Sequence, residues 1–157
     1  MPKIAEGAKA PAWEMESAGG PIRSADYAGK TYVLFFYPKD DTPGCTNENK
    51  DFTALAGDFA KAGVALVGAS KDSLKAHEKF TGKYGLTVPL GSDPEGKVIE
   101  AFESWVEKKL YGREYMGIDR STFLIQDGVI KGIWRKVKVA GHAQAVLAKA
   151  LKEQGTR

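Results

Sequence analysis

The 157-residue chain, 43% hydrophobic and 27% charged, has the composition of one soluble globular domain, and its net charge of +3 is too small and too dispersed to indicate a nucleic-acid partner. A single cysteine excludes an intrachain disulfide. With only two histidines besides, the chain has few metal-ligand side chains, and we expect no metal centre and no cofactor. No apolar segment approaches the roughly 20 residues that cross a bilayer, and the N-terminus lacks the apolar core of a secretory signal, so we expect a cytoplasmic protein with no membrane partner.

The first half of the chain alternates continuous apolar runs with apolar residues spaced three or four apart. Continuous runs are typical of strands buried on both faces of a sheet, whereas the wider spacing is typical of helices. Gly63 and Gly85 supply stops for two of these helices. In chain order the patterns predict short strands near 14–15 and 22–23, a strand at 31–37, a helix at 43–62, a strand at 64–69 and a helix at 73–84.

The second half predicts an antiparallel hairpin between two further helices. Asp127-Gly128 is a strong two-residue turn signal with apolar runs on both sides. In chain order we predict a short strand at 88–90, a short helix from 93 to 102, hairpin strands at 121–126 and 129–135, and a closing helix at 141–152. This order indicates an α/β fold, with a central mixed sheet flanked by helices, in the thioredoxin-like arrangement. We expect a single domain over residues 1–157.

The only cysteine, Cys45, lies in the first turn of the helix predicted after the 31–37 strand. Unpaired backbone N–H groups and the positive end of the helix dipole favour a thiolate over a thiol at such a position. Its neighbours at 39–41 and 46–48 are polar, which predicts a turn that faces a loop-lined surface. Gly44 leaves room beside the sulfur for a small substrate. These features favour a nucleophilic cysteine.

The same residues also suit a purely structural interpretation. Thr42 and Pro43 are typical of the N-cap and first position of a helix, and Thr42 would then accept a hydrogen bond from the N–H of Cys45. Cys45 would be a small buried filler, which is what a lone cysteine most often is. The polar surroundings favour the reactive interpretation over this one.

The segment Phe36–Thr46 resembles the peroxidatic motif of peroxiredoxins. Its Pro38, Thr42 and Cys45 have the spacing of that motif. Three later segments resemble the peroxiredoxin Q group, also called bacterioferritin comigratory proteins: Gly68–Ser73, Gly117–Ile125 and Gly141-His142. The resemblance spans nearly the whole chain. It implies a thioredoxin-like fold and an antioxidant, thioredoxin-dependent type of peroxidase that reduces hydrogen peroxide and alkyl hydroperoxides.

The resemblance also implies roles for five side chains. Cys45 matches the peroxidatic cysteine, whose thiolate attacks a peroxide oxygen and becomes a sulfenic acid. Thr42 matches the threonine whose hydroxyl contacts the sulfur and the peroxide, and Pro38 matches the proline that shields the sulfur from water. Arg120 matches the arginine beside the thiolate, and Glu48 matches the acidic residue that orients this arginine.

Elementary electrostatics agrees with these roles. A guanidinium within about 4–6 Å of a sulfur favours the thiolate. Negative charge builds on the leaving oxygen as the O–O bond breaks, and Arg120 with the N–H groups of Gly44 and Cys45 would stabilise that charge as an oxyanion hole does. We therefore expect Gly44, Thr42 and Arg120 to bind the peroxide.

The chain departs from the group at the two positions where a second, resolving cysteine is found. These positions hold Lys50 and Thr81, so the sulfenic acid cannot be resolved within the chain. We expect a one-cysteine cycle that is completed by an external thiol (thioredoxin, glutaredoxin or glutathione) or by a Cys45–Cys45 link between two chains. The chain is expected to be a monomer or a weak homodimer.

Two alternatives belong to other function classes. The first is a peroxide sensor or thiol-based binding protein, which oxidises but turns over poorly because it lacks a resolving cysteine. The second is a disulfide oxidoreductase of thioredoxin type, which fits less well because that chemistry needs a Cys-x-x-Cys pair. Neither histidine is predicted to act as a base. His77 shares a helical stripe with Leu74 and Tyr84, and His142 is placed to begin the last helix.

Overall fold

The computed structural model of the chain describes residues 4–155. Residues 1–3 and 156–157 lie outside the described part, and the first three belong to the segment in which no secretory signal is predicted. The single-domain prediction for 1–157 stays a prediction. None of the described helices is long and apolar enough to span a bilayer. In chain order the elements are β1 (Glu14–Met15), β2 (Ile22–Arg23), a 3₁₀ helix (Ser24–Tyr27), β3 (Thr31–Phe36), α1 (Pro43–Ala54), α2 (Ala56–Lys61), β4 (Val64–Ser70), α3 (Leu74–Tyr84), β5 (Leu90–Ser92), α4 (Lys97–Ala101), β6 (Trp105–Leu110), β7 (Arg113–Ile118), β8 (Ser121–Gln126), β9 (Val129–Trp134) and α5 (His142–Gly155).

Strand β3 is the centre of a five-stranded mixed sheet with the order β5-β4-β3-β8-β9. It pairs in parallel with β4 and antiparallel with β8, and all of its residues are buried. A strand covered on both faces needs no alternation of polar and apolar side chains, which explains the continuous apolar run. The predicted α/β class, with a central mixed sheet flanked by helices, is confirmed.

Successive side chains of β3 point to opposite faces of the sheet and enter two separate hydrophobic clusters. Val33 and Phe35 lie in the cluster that includes residues of α1, α2, α3 and α5, and Cys45 belongs to it. Tyr32 and Leu34 lie in the other cluster, with residues of the N-terminal segment and α4. The start of α1 is therefore held against one face of the central sheet.

Several predicted elements differ from the structure in their bounds, and two of these differences have a local cause. The helix predicted at 43–62 is two helices, because the backbone at Leu55, with φ −97° and ψ 2°, departs from helical geometry and ends α1. The strand predicted at 88–90 lies instead at Leu90–Ser92, where it pairs with the last residues of β4. Pro89 has no N–H to donate to a ladder, which is consistent with a strand that begins after it.

A hairpin that the sequence patterns do not predict occupies residues 105–118. Its strands β6 and β7 pair only with each other and form a separate two-stranded sheet. Most of their residues are exposed or half-buried, so no buried apolar run marks the strands. Tyr111 and Gly112 both have positive φ, as a two-residue hairpin turn requires. That dipeptide is the local signal for the hairpin.

The pairing of β3 with β8 brings distant segments to one edge of the sheet. Phe36, the last residue of β3, is paired with Ser121, the first residue of β8. The residue before β8 therefore lies beside the loop 37–42 that leads from β3 into α1. The register of two strands thus sets which side chains meet at the start of α1.

We expect Phe35→Ala to lower the free energy of unfolding by about 3–5 kcal/mol, because it leaves a cavity in the core. Phe35 is fully buried and stacks on Phe52 with ring centroids 4.4 Å apart. Denaturant unfolding followed by circular dichroism measures the change. The control is Leu151→Ala on the exposed side of α5, which should stay within about 0.5 kcal/mol of the wild type. Equal losses in the two variants would contradict the described core.

Candidate active site

Cys45 is the third residue of α1, and only 1% of its surface is exposed. Thr46, Glu48 and Asn49 of the same helix are buried as well. The prediction that the polar residues at 39–41 and 46–48 face the surface is therefore wrong for Asp40, Thr46 and Glu48, whereas the other three are exposed. Two of the buried side chains on α1 have polar partners inside the protein: Asn49 Nδ2 donates to the carbonyl of Cys45 at 3.0 Å, and Glu48 binds Arg120.

Arg120 connects Cys45 to Glu48. Its Nη1 donates to Glu48 Oε1 at 2.7 Å, and its Nη2 donates to the Sγ of Cys45 at 3.4 Å. A Cβ atom placed on Gly44 would lie 3.1 Å from Nη2, so the glycine leaves the guanidinium room to approach the helix. The structure thus brings together four of the predicted site residues: Gly44, Cys45, Glu48 and Arg120.

The buried ion pair has unusual acid–base properties. Burial raises the pKa of Glu48 to about 7, although the Arg120 charge acts in the opposite direction. For Arg120, burial lowers the pKa, but the nearby Glu48 and Cys45 outweigh it and the pKa is raised overall. The second oxygen of Glu48, Oε2, is buried with no hydrogen-bond partner in the described part of the chain. Glu48 therefore titrates near neutrality while Arg120 stays charged.

Thr42 and Pro38 lie at the edge of this group. Thr42 is the N-cap of α1, but its hydroxyl donates to the carbonyl of Lys39 at 2.8 Å and makes no capping bond. The interpretation in which Thr42 accepts a hydrogen bond from the N–H of Cys45 is therefore wrong. The oxygen of Thr42 keeps its lone pairs for another donor. Pro38 is half-buried and lines, with Arg120, a surface groove.

Helix α3 holds the loop before α1 at two consecutive carboxylates, and sequence reasoning missed both contacts. Asp40 Oδ2 lies 2.7 Å from Nδ1 of His77, which is buried on α3. Asp41, with φ 58°, accepts a hydrogen bond from the Tyr84 hydroxyl at 2.6 Å and another from Lys83 Nζ at 2.9 Å. The only sequence signal was the pair of acidic residues in the loop.

His77 is buried on its helix, as predicted, and also has an acceptor at each ring nitrogen. These acceptors are the carboxylate of Asp40 and the carbonyl of Gly91, the latter 3.1 Å from Nε2. Asp40, Asp72 and His77 place possible metal-ligand atoms within 4.8 Å of one another. Asp72 Oδ2 already accepts from the Asp40 N–H and the Ser70 hydroxyl, so hydrogen bonds account for this cluster.

His142 is the first residue of α5, as predicted, and its ring lies close to the site. Its Nε2 lies 2.8 Å from the hydroxyl of Thr122, a residue of β8. Burial, and secondly the charge of Arg120, lowers the pKa of His142 to about 4. The ring is therefore uncharged at neutral pH and adds no second positive charge beside Arg120.

The two positions of the absent second thiol are occupied by side chains with other surroundings. Lys50 on α1 places its Nζ 5.9 Å from the ring centroid of Tyr84. Thr81 is half-buried on α3. Cys45 is the only cysteine among the 157 residues, which excludes a disulfide within the chain.

The fold and the contact between Cys45 and Arg120 assign the protein to the class of thiol peroxidases. The sequence profile of the AhpC/TSA family matches residues 7–133, a range that includes β3, α1 and Arg120. The protein therefore belongs to the AhpC/TSA family.

Within this family the chain is a peroxiredoxin of the peroxiredoxin Q, or Bcp, group, with a single cysteine. It is 52% identical to the peroxiredoxin Bcp of Xanthomonas campestris over 133 residues, which are 84% of this chain and 83% of that protein. It is 47% identical to the peroxiredoxin Bcp of Bacillus subtilis over 143 residues, which are 90% of this chain and 91% of that protein.

Solved structures of the group have the same fold. The bacterioferritin comigratory protein of X. campestris superposes with a TM-score of 0.86 at 44% identity, covering 90% of this chain and 92% of that one. A mutant of peroxiredoxin Q from Xylella fastidiosa superposes with a TM-score of 0.91 at 37% identity, covering 99% of both chains. The predicted thioredoxin-like fold and the resemblance to peroxiredoxin Q are confirmed.

The titration of Glu48 predicts a pH dependence of stability. Its pKa is about 7 in the folded protein against an ordinary 4.5, so the folded state holds the proton more tightly than the unfolded chain. This contribution to stability is complete below about pH 4.5 and is lost as the pH rises to about 7. We expect the free energy of unfolding of the wild type to fall over that window relative to Glu48→Gln, as measured by denaturant unfolding at several pH values.

The control for this measurement is Glu78→Gln, which removes an exposed carboxyl on α3. The difference in free energy of unfolding between Glu78→Gln and the wild type should change little across the same pH window. A difference between wild type and Glu48→Gln that stays constant with pH would contradict a buried carboxyl that titrates near neutrality.

Proposed function

We propose that Cys45 attacks hydrogen peroxide or an alkyl hydroperoxide as a thiolate, becomes a sulfenic acid and is regenerated by an external thiol. The observation that carries the proposal is the contact of Arg120 with both the Sγ of Cys45 and the carboxylate of Glu48. A cation 3.4 Å from the sulfur favours the thiolate and leaves a charged donor beside it. The X. campestris relative is described in terms of alkyl peroxide reduction activity, which supports this substrate class.

In the first step an S–O bond forms while the O–O bond of the peroxide breaks. The leaving hydroxide or alkoxide carries negative charge until it takes a proton. Arg120 and the N–H groups of Gly44 and Cys45 are the donors for that charge, because the first N–H groups of a helix have no partner within the helix. Thr42, whose hydroxyl hydrogen is directed to Lys39, can accept a hydrogen bond from the peroxide O–H.

Glu48 and Pro38 support this step without reacting. Glu48 holds one arm of the guanidinium at 2.7 Å, so the other arm stays directed at the sulfur. Glu48 is therefore a positioning residue. Pro38 forms part of the groove wall beside Arg120 and limits the access of water to the site.

The second half of the cycle needs a thiol from outside the chain. The sequence holds one cysteine, so the sulfenic acid condenses with an external thiol (thioredoxin, glutaredoxin or glutathione) or with the Cys45 of a second copy. The same observation favours one alternative function: a peroxide sensor or thiol-based binding protein that oxidises once and recycles poorly.

We expect the Cys45→Ser variant to lose peroxide reduction entirely, because the oxygen of serine is a far weaker nucleophile than a thiolate. Stopped-flow tryptophan fluorescence of the reduced protein mixed with hydrogen peroxide measures the reaction. The wild type should show a fast, saturable phase that is absent in the variant. A fast phase that persists in Cys45→Ser, or a wild-type rate no higher than that of a free thiol, would overturn the proposal.

The same experiment, run with excess peroxide and each thiol reductant in turn, separates the enzyme from the sensor. Many turnovers per protein molecule support the peroxidase. A single oxidation that no reductant reverses at a useful rate would support the sensor instead.

We expect Arg120→Met to slow oxidation of Cys45 by about 100-fold or more, the loss typical of one preorganised donor to a developing oxyanion. It should also slow alkylation of the thiol by iodoacetamide at neutral pH, because the thiolate loses its cation. Arg23→Met is the matched control, since Arg23 pairs with Glu14 on the exposed surface. Unchanged alkylation and oxidation in Arg120→Met would remove the arginine from the reaction.

A further inference from the structure

A one-cysteine peroxidase needs an outside reductant, and the proposed function leaves the class of that reductant open. On the basis of that function, we propose that a small thiol bearing carboxylate groups docks in a lysine-lined groove beside Arg120 and reduces the Cys45 sulfenic acid there. This basic groove is lined in part by Pro38, Val106, Lys108, Arg120, Lys136 and Val137.

The basic groove lies one side chain away from the reacting sulfur. It has a volume of about 510 Å³, and Arg120 forms part of its wall. The same guanidinium donates to the Sγ of Cys45 at 3.4 Å. A molecule of a few carbon atoms that enters the groove is therefore placed against the group that contacts the sulfur.

The groove is also lined by two acids, and one of them is already engaged by other groups. Asp119 is buried, accepts a hydrogen bond from the N–H of Lys136 at 3.1 Å and lies 3.9 Å from the guanidinium of Arg135. Asp119 is thus already engaged by other groups. Glu107 is exposed on β6 and is the second acid of the lining.

Two lysines of the groove are available for an anion. Lys109 is paired with Glu114 at 3.6 Å on the exposed surface, and Arg120 is paired with Glu48. In the part of the chain that the structure describes, no ion pair engages Lys108 or Lys136. The side chains of Val106 and Val137 supply apolar surface between the charges. This combination suits a short aliphatic molecule with carboxylates.

The burial of the sulfur favours a small thiol over a thiol carried on a folded protein. Only 1% of Cys45 is exposed, and the loop in front of it is held to α3 at Asp40 and Asp41. A protein thiol would reach the sulfur only after these hydrogen bonds and the start of α1 had opened. A small thiol in the groove already lies against Arg120, the side chain that contacts the sulfur.

The proposed reduction balances with two molecules of the small thiol. The thiolate of the first attacks the Sγ of the sulfenic acid, an S–S bond forms, the S–O bond breaks, and hydroxide leaves and takes a proton to become water. The thiolate of the second attacks the sulfur of the bound small thiol. Cys45 leaves as a thiolate, and the small molecule is released as its disulfide. The lysines act by holding the carboxylates while the first bond forms.

The test compares two thiols that differ in charge, mercaptosuccinate and uncharged 2-mercaptoethanol. The protein is oxidised with one equivalent of hydrogen peroxide, and the return of the Cys45 thiol is timed with each. The proteins are the wild type, the groove variant Lys108→Glu/Lys136→Glu and the control Lys30→Glu/Lys152→Glu. The control makes the same charge change on exposed lysines before β3 and on α5. Because the two thiols are compared within each protein, effects common to both cancel.

We expect the ratio of the mercaptosuccinate rate to the 2-mercaptoethanol rate to fall by about tenfold or more in the groove variant, and to hold in the control. Added salt should lower the same ratio in the wild type. If both thiols slow equally in the groove variant, the groove does not select for charge and the proposal is wrong, while the peroxidase function stands. If peroxide does not oxidise Cys45 at all, the proposed function itself fails.

One further arm tests a second anion for the groove, a peroxide that bears a carboxylate. Oxidation of the reduced protein is timed with a hydroperoxide that bears a carboxylate and with its methyl ester. If the groove variant loses discrimination between these peroxides and keeps it between the two thiols, the groove binds the peroxide and the proposal is overturned. Loss of discrimination between the thiols alone supports it.

Discussion

The guanidinium of Arg120 is the contact on which the pocket depends. It is the hydrogen-bond donor to a buried sulfur and the ion-pair partner of a buried carboxylate, a charged group that a protein interior does not tolerate without such a partner. Removing one member of a buried ion pair typically costs about 3–5 kcal/mol. The chain places this arginine through the register of β3 against β8, so the chemistry of the site depends on a strand pairing in the centre of the sheet.

Two buried hydrogen-bond acceptors near Cys45 lack partners in the described part of the chain even with that arginine in place. Glu48 Oε2 and Asn49 Oδ1 are buried without hydrogen-bond partners in the described part of the chain, and an unmet acceptor of this kind costs about 1–3 kcal/mol. Departures from full satisfaction are expected where a site serves chemistry at the expense of stability. The raised pKa of Glu48 has the same origin, because burial disfavours its charged form. The charge beside the sulfur therefore varies around neutral pH.

Local features of this fold are predictable from the sequence, and long-range polar contacts are not. The motif at 36–46 and the buried strands lie within short windows, where spacing and apolar runs carry the information. The contact between Asp40 and His77 joins residues 37 positions apart, and polarity alone predicts exposure for a carboxylate that is in fact buried. The hairpin at 105–118 has no buried face to show a pattern, and the break at Leu55 leaves the helical spacing almost unchanged.

The hairpin formed by β6 and β7 has a consequence for how such a protein diversifies. It pairs only with itself, yet it carries Lys108 and Tyr115 to the groove wall, whereas Cys45 and Arg120 are placed by α1 and the central sheet. The groove wall and the reacting centre are therefore positioned by separate sheets. Substitutions in the hairpin can alter the groove wall without repacking the core. A lineage can therefore exchange one co-substrate for another while its oxidation chemistry is inherited unchanged.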